Sequence, residues 1–210
     1  MSEIRTRNMM LGPLYTNCYL LMRDDRAVLI DAPEEADVIM RVVREEGVEL
    51  TDIFLTHSHF DHVDAVNDLR RELPDVKVWI GEKDEPGLSD VYLNMSESFL
   101  GRRNVTKADM TVTDGQELEI LGTTCRCIEV PGHTVGGMCY YFPELGVVYD
   151  GDTLFEGSIG RSDFPGGSER VLVDSIKRKL MVLPDDTRVM PGHGDATTVK
   201  RERRANYFLI

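Results

Sequence analysis

Cysteine is scarce in this sequence, four in 210 residues, which excludes a disulfide-stapled scaffold and fits a chain kept in a reducing compartment. Basic residues are also outnumbered. With 24 Lys and Arg against 37 Asp and Glu, the formal charge is -13, a balance that repels a phosphate backbone and argues against nucleic acid as a partner. No apolar run reaches membrane-spanning length, and the first ten residues lack the apolar centre of a secretory leader. The expectation is a cytoplasmic protein with no membrane partner. Low-complexity tracts, linkers and long-period repeats are missing too, so residues 1–210 are expected to form one domain.

Histidine is scarce as well, and its five copies are not scattered. His57, His59 and His62 lie in Thr-His-Ser-His-Phe-Asp-His, His133 in Pro-Gly-His-Thr and His193 in Pro-Gly-His-Gly. Neutral imidazole is the commonest protein ligand for zinc and related metals. One such histidine is most simply a hydrogen-bonded structural residue; five in ordered blocks with matched carboxylates are not. His57 and His59 are two apart and in extended backbone project to one side. Asp61 and His62, at the start of a helix, point differently and suit a second ion. His57, His59, Asp61, His62, His133, Asp152 and His193 together offer enough donors for two sites, each keeping a position for water. Asp152 is the natural bridge because both of its oxygens can bind. Asp61 and Asp152 are thus the carboxylates assigned to catalysis, while Asp31 and Asp150 read as strand-end or supporting hydrogen-bond partners.

The periodicity places these blocks at strand ends. Strands are expected at residues 17–22, 27–31, 52–56, 77–80, 117–121, 124–130, 138–142, 147–150 and 187–190, and helices at 34–46, 61–73, 168–180 and 200–207. Cys125 and Cys127 alternate within an apolar run and share one strand face. Residues 82–109 read as short helices plus a loop over the site. Lys200, Arg201, Arg203 and Arg204, interrupted by Glu202, read as a solvated helix face. Twice an apolar strand ends in Pro-Gly-His, where proline stops the ladder and glycine permits a sharp turn that presents the imidazole. The glycine-rich stretch 157–167 lacks the spacing and lysine of a phosphate-binding loop and reads as a site loop. Phe60, Phe155 and Phe164 flank the metal blocks, with core packing as their default role.

The blocks 56–62, 130–134, 150–155 and 191–194 resemble, in order and separation, the metal motifs of the metallo-β-lactamase superfamily. The resemblance spans nearly the whole chain. Within that superfamily, residues 157–167 and the ending 197–209 are similar to the short bacterial relatives of glyoxalase II. The resemblance implies an α/β fold, an αββα sandwich of two mixed sheets flanked by helices with the site at one edge. It also implies site one from His57, His59 and His133, site two from Asp61, His62 and His193, and Asp152 bridging. Two divalent ions, expected to be zinc although iron and manganese tolerate the same donors, would share a water whose pKa falls from about 15.7 towards 7. The resulting hydroxide would attack a small-molecule thioester or ester. A thiolate, with a pKa of roughly 8.5, leaves without a donated proton, and no dedicated general acid stands among the motif residues. Thioesters such as S-lactoylglutathione are therefore the expected substrates. Glyoxalase II continues past its last metal histidine into a helical domain that helps bind glutathione, and those contacts have no counterpart in residues 194–210. Arg161 stands as the candidate for a substrate carboxylate, evenly weighed against a structural arginine. Two rival readings use the same frame: a persulfide dioxygenase with one iron on His57, His133 and Asp152, and a lactone or β-lactam hydrolase.

Overall fold

In the computed structural model, which describes residues 2–210, alternation along the strands decides the layering. The first sheet runs in order through β1 (Arg5–Leu11), β2 (Thr16–Arg23), β3 (Arg26–Ile30), β4 (Glu49–Phe54), β5 (Lys77–Gly81) and β6 (Met110–Val112). Its first three strands are antiparallel neighbours and the rest are parallel. The second contains β7 (Glu117–Ile120), β8 (Thr123–Glu129), β9 (Met138–Phe142) and β10 (Val147–Gly151). A small hairpin, β11 (Leu154–Phe155) and β12 (Ser158–Ile159), follows before β13 (Arg188–Pro191) and β14 (Thr197–Thr198) complete that sheet in the order β14-β13-β10-β9-β8-β7.

Successive side chains of a strand point to opposite faces. On β2, Cys18, Leu20 and Met22 pack outward with Ile39 and Leu69 of helices α1 (Ala36–Glu46) and α3 (Val66–Glu72). Tyr19 and Leu21 turn inward to meet Tyr140, Phe142 and Tyr149 of the second sheet. Cys139 and Val148 face Leu172 and Ile176 on the far side. The four layers are the expected αββα sandwich, and Cys125 and Cys127 lie on the buried face between its sheets.

Several elements differ from the sequence reading. Strand β1 pairs with β2 along its whole length, yet Arg5, Thr6, Arg7 and Asn8 are exposed; a polar edge strand carries no hydrophobic alternation to read. The three residues of β6 are too few for a periodic signal. Helix α1 starts at Ala36 because Glu35, at φ 75°, is left-handed. The helix expected over 61–73 divides into α2 (Phe60–Val63) and α3, because Ala32 takes its place in the ladder: the Ala32 N–H donates to the His62 carbonyl at 2.8 Å, and the Ala65 N–H donates to Ala32 at 3.0 Å. That break ties the His62 turn to the end of β3. After Ser168, α4 (Ser96–Leu100) having preceded it, comes α5 (Glu169–Ser175), which widens into a π-helical turn over Ile176–Leu180. Helix α6 (Val199–Ala205) closes the chain.

Candidate metal centre

The ends of β3, β4, β8, β10 and β13 lie on one rim, and the seven donor residues named from the sequence converge there. The His133 Nε2 is 2.9 Å from His59 Nδ1 and 3.2 Å from His57 Nε2. Asp61 Oδ2 is 3.1 Å from His193 Nε2 and 3.6 Å from His62 Nε2. Asp152 Oδ2 lies between the two groups, 3.7 Å from His133 Nε2 and 3.6 Å from His193 Nε2, while its Oδ1 faces His62 Nε2 at 3.4 Å. One oxygen of Asp152, rather than one on each side, therefore spans the two clusters.

The outward nitrogens fix the tautomers. Carbonyl and carboxylate oxygens only accept, so His133 Nδ1–H donates to the Arg161 carbonyl (2.6 Å), His193 Nδ1–H to Leu14 (3.1 Å) and His62 Nδ1–H to Asp31 Oδ2 (2.8 Å). The Thr56 hydroxyl donates to Asp31, which leaves its oxygen to accept from His57 Nδ1–H at 3.0 Å. Four imidazoles thus present Nε2 lone pairs inward. Lone pairs facing one another at these distances repel unless a cation lies among them. Tetrahedral zinc with bonds of 2.0–2.1 Å would separate its nitrogens by about 3.3 Å, close to what is seen. His62 Nε2 and Asp152 Oδ1 are buried with no hydrogen-bond partner, as metal donors would be. The donor set fits one or two divalent ions, and three overlapping triads, His57-His59-His133, His57-His62-Asp152 and Asp61-His62-His193, each bring ligand atoms within 4.8 Å of one another.

Electrostatics separate the two groups. Burial, reinforced by His133, pulls His59 down to about 3, and burial with neighbouring imidazoles lowers His57. Burial also works against a charge on His62, but Asp31, Asp61 and Asp152 together outweigh it and raise its pKa. Against the effect of burial, His62 and the other imidazoles hold Asp152 and Asp61 below the usual carboxylate range. His57 and His59 are therefore neutral, and Asp61 and Asp152 ionised, at neutral pH, the states that ligation requires.

Outer residues hold this geometry. Asp31, at φ 59°, turns out of β3 and spends its carboxylate on Thr56 N (2.7 Å), the Thr56 hydroxyl and His62. Asp150 accepts the Leu154 N–H at 3.0 Å and faces no metal donor, matching its expected strand-end role. Asp84, buried in the stretch read as short helices plus a loop, accepts from Ser58 N at 2.7 Å and Gly136 N at 3.2 Å, joining the His57–His59 turn to the loop after His133. Nothing in Glu82-Lys-Asp-Glu marks Asp84 apart from its charged neighbours. Asn17 Nδ2 and the Tyr19 hydroxyl both donate to Pro191 O, at 2.9 and 2.7 Å, fixing the last Pro-Gly-His turn. Both Pro-Gly-His glycines are needed for room: at Gly132, which also adopts φ 130°, a Cβ would run into the Leu172 backbone, and at Gly192 it would meet Asp152 Oδ1 and His62 Cε1 at 2.5 Å.

Above the cluster opens a cleft of about 440 Å³. Phe60, Phe155 and Phe164, read from sequence as core by default, line it, joined by Met95 and Phe99 from the 82–109 segment that overhangs it. Arg161 also lines the cleft, but its guanidinium is paired with Asp163 through two 2.8 Å hydrogen bonds and lies 3.8 Å over the Phe164 ring. Glu202, expected on a solvated helix face, is buried and accepts from Thr197, Gly157 and Asn206. No helix among the described residues is long and apolar enough to cross a membrane.

Known proteins resemble this chain in sequence and fold. A probable metallo-hydrolase of Bacillus subtilis, YqgX, is 36% identical over 98% of each chain. The hydroxyacylglutathione hydrolase GloC of Haemophilus influenzae is 36% identical over 92% of each. Among solved structures, the BLEG-1 B3 metallo-beta-lactamase superposes with a TM-score of 0.92 at 36% identity, covering 98% of this chain and 99% of that one. TTHA1623 in a di-iron-bound form gives 0.84 at 36%, covering 97% and 100%. With the family model matching residues 11–193, the chain belongs to the metallo-beta-lactamase superfamily.

Proposed function

We propose that the protein is a dinuclear metal-dependent hydrolase of thioesters. The observation that carries the reading is the placement of Asp152 Oδ2 between two complete donor groups. Site one would be His57, His59 and His133, site two Asp61, His62 and His193, with Asp152 shared. Two bound divalent ions would supply a water acidified towards pKa 7 and a Lewis acid for the carbonyl oxygen. In the hydrolysis, the water oxygen bonds to the carbonyl carbon, the C–S bond breaks, the sulfur leaves with its electron pair as thiolate, and both protons of the water pass to solvent as the product ionises to a carboxylate. The chain's own contribution is positional. Asp31 aims two imidazoles, His62 directly and His57 through Thr56, and Asp84 braces the turn between them. Among the described residues lining the cleft, no carboxyl or lysine outside the proposed metal donors stands ready to protonate a leaving group, which supports a thiolate over an amine. The name of the Haemophilus relative supports S-lactoylglutathione as the first substrate to try.

A single iron on His57, His133 and Asp152, the persulfide dioxygenase reading, leaves Asp61 and His193 converging at 3.1 Å without a purpose, and the dinuclear reading is preferred. Metal analysis of protein purified without chelator, with thioester hydrolysis and oxygen uptake on glutathione persulfide measured side by side, tests this. Near two metals per chain and thioester turnover are expected; one iron with oxygen uptake and no hydrolysis would overturn it.

A further inference from the structure

We infer that the cleft selects thioesters whose acyl group carries an aromatic ring, seated against Phe99 and Phe164; this deepens the thioesterase reading and rests on it. Three rings form a continuous wall on the site-one side. Phe60 stacks on Phe99 (centroids 5.4 Å, 22°), Phe99 meets Phe164 edge to face (5.8 Å, 86°), and Phe164 meets His59 in the same way (5.4 Å, 83°). Phe99 is 50% exposed, so an apolar face at the mouth stays wet until a ligand covers it. Aromatic rings reward a ring-bearing ligand through edge and offset contacts as well as through area.

The acyl half suits this wall better than the thiol half does. The sulfur leaves as an anion, and apolar surroundings disfavour charge. The departing thiolate therefore belongs on the more solvent-open side, where a single ring, Phe155, lies 6.4 Å from His193 and His193 is 26% exposed while the other four imidazoles are nearly closed off. The acyl substituent, uncharged throughout, then faces the rings. A carboxylate-bearing acyl group finds no unpaired cation there: Arg161 is the one arginine or lysine lining the cleft among the described residues, and Asp163 engages its Nε–Nη2 edge and offsets its charge. The Asp163 carboxyl, held down to about 2 by that pairing, keeps its charge at any assay pH. Arg161 serves instead to hold Phe164 in place.

S-mandeloylglutathione and S-lactoylglutathione share the thiol and the α-hydroxyl and differ only in phenyl for methyl. With metal-loaded protein, kcat/KM is expected to favour the mandeloyl ester at least about tenfold, and the ratio to fall towards one in Phe99→Ala and Phe164→Ala. Calorimetric titration with mandelate and lactate gives a readout independent of turnover, with mandelate expected to bind more tightly and to lose that advantage in the same variants. Phe99 is half exposed, so its truncation leaves the core intact; a melting curve for each variant confirms that. Turnover of S-lactoylglutathione with no mandeloyl preference overturns this inference and leaves the hydrolase reading standing. Turnover of neither ester overturns the hydrolase reading, and equal binding of mandelate and lactate then overturns the aromatic site as well.

Discussion

Asp31 Oδ2 accepts the Nδ1 proton of His62 at 2.8 Å while the same carboxylate takes the backbone and hydroxyl of Thr56. One acid thereby orients a donor of each proposed metal site, His62 directly and His57 through the Thr56 oxygen. Asp31→Asn keeps the size but weakens the hold on both rings. Outer partners of this kind typically cost 10–100-fold in metal affinity, and a loss in that range is expected in competition with a chromophoric chelator. An affinity within about twofold of wild type would show that the rings hold themselves.

Gly192→Ala places a methyl against Asp152 Oδ1 and His62 Cε1. Overpacking costs about 1–3 kcal/mol, and here the strain falls on the shared carboxylate. The variant should keep the fold by circular dichroism, bind fewer than two metals and lose most activity. Full metal content by elemental analysis would mean that the Pro191–His193 turn yields without moving Asp152.

Chelation should abolish hydrolysis and lower the melting temperature together, because an ion that binds only the folded chain stabilises it in proportion to its occupancy. Returning zinc, iron or manganese should restore both in parallel. A chelated protein that melts unchanged yet is inactive would place the metal outside the buried cluster.

Away from the site, Asp114 accepts from Lys179 Nζ at 2.7 Å and Glu129 N at 2.9 Å. Partial burial opposes its charge, but these two contacts prevail and hold its pKa below the ordinary value. Its folded pKa is the lower one, so its contribution is present above the unfolded value of about 3.9 and fades as pH falls through the folded one. Exposed pairs are worth about 0–1 kcal/mol. Melts of metal-free wild type and Asp114→Asn should differ slightly at pH 7 and converge towards pH 3. A gap that persists at acid pH would assign the effect to packing.

Much of this fold was legible because buried strands and amphipathic helices write their period into sequence; Leu20, Tyr19 and their neighbours show it residue by residue. The polar edge strand β1 and the short β6 write none. For the site, the histidine blocks and Asp152 were readable because ligand chemistry restricts residue type. Asp84 was not, since a carboxylate bracing two loops looks like any surface acid until the loops meet. Phe99 was hidden for a similar reason: an isolated aromatic acquires meaning only beside Phe60 and Phe164.

The floor of the cleft depends on a part of the molecule that never touches it. Glu202 holds Gly157 N, and Asn206 Nδ2 holds the Ser158 carbonyl, so α6 sets the height of the hairpin carrying Phe155 and Ile159. Small slides of that terminal helix would reshape the chamber while sparing every ligand, giving selection a dial for substrate size that is separate from the chemistry.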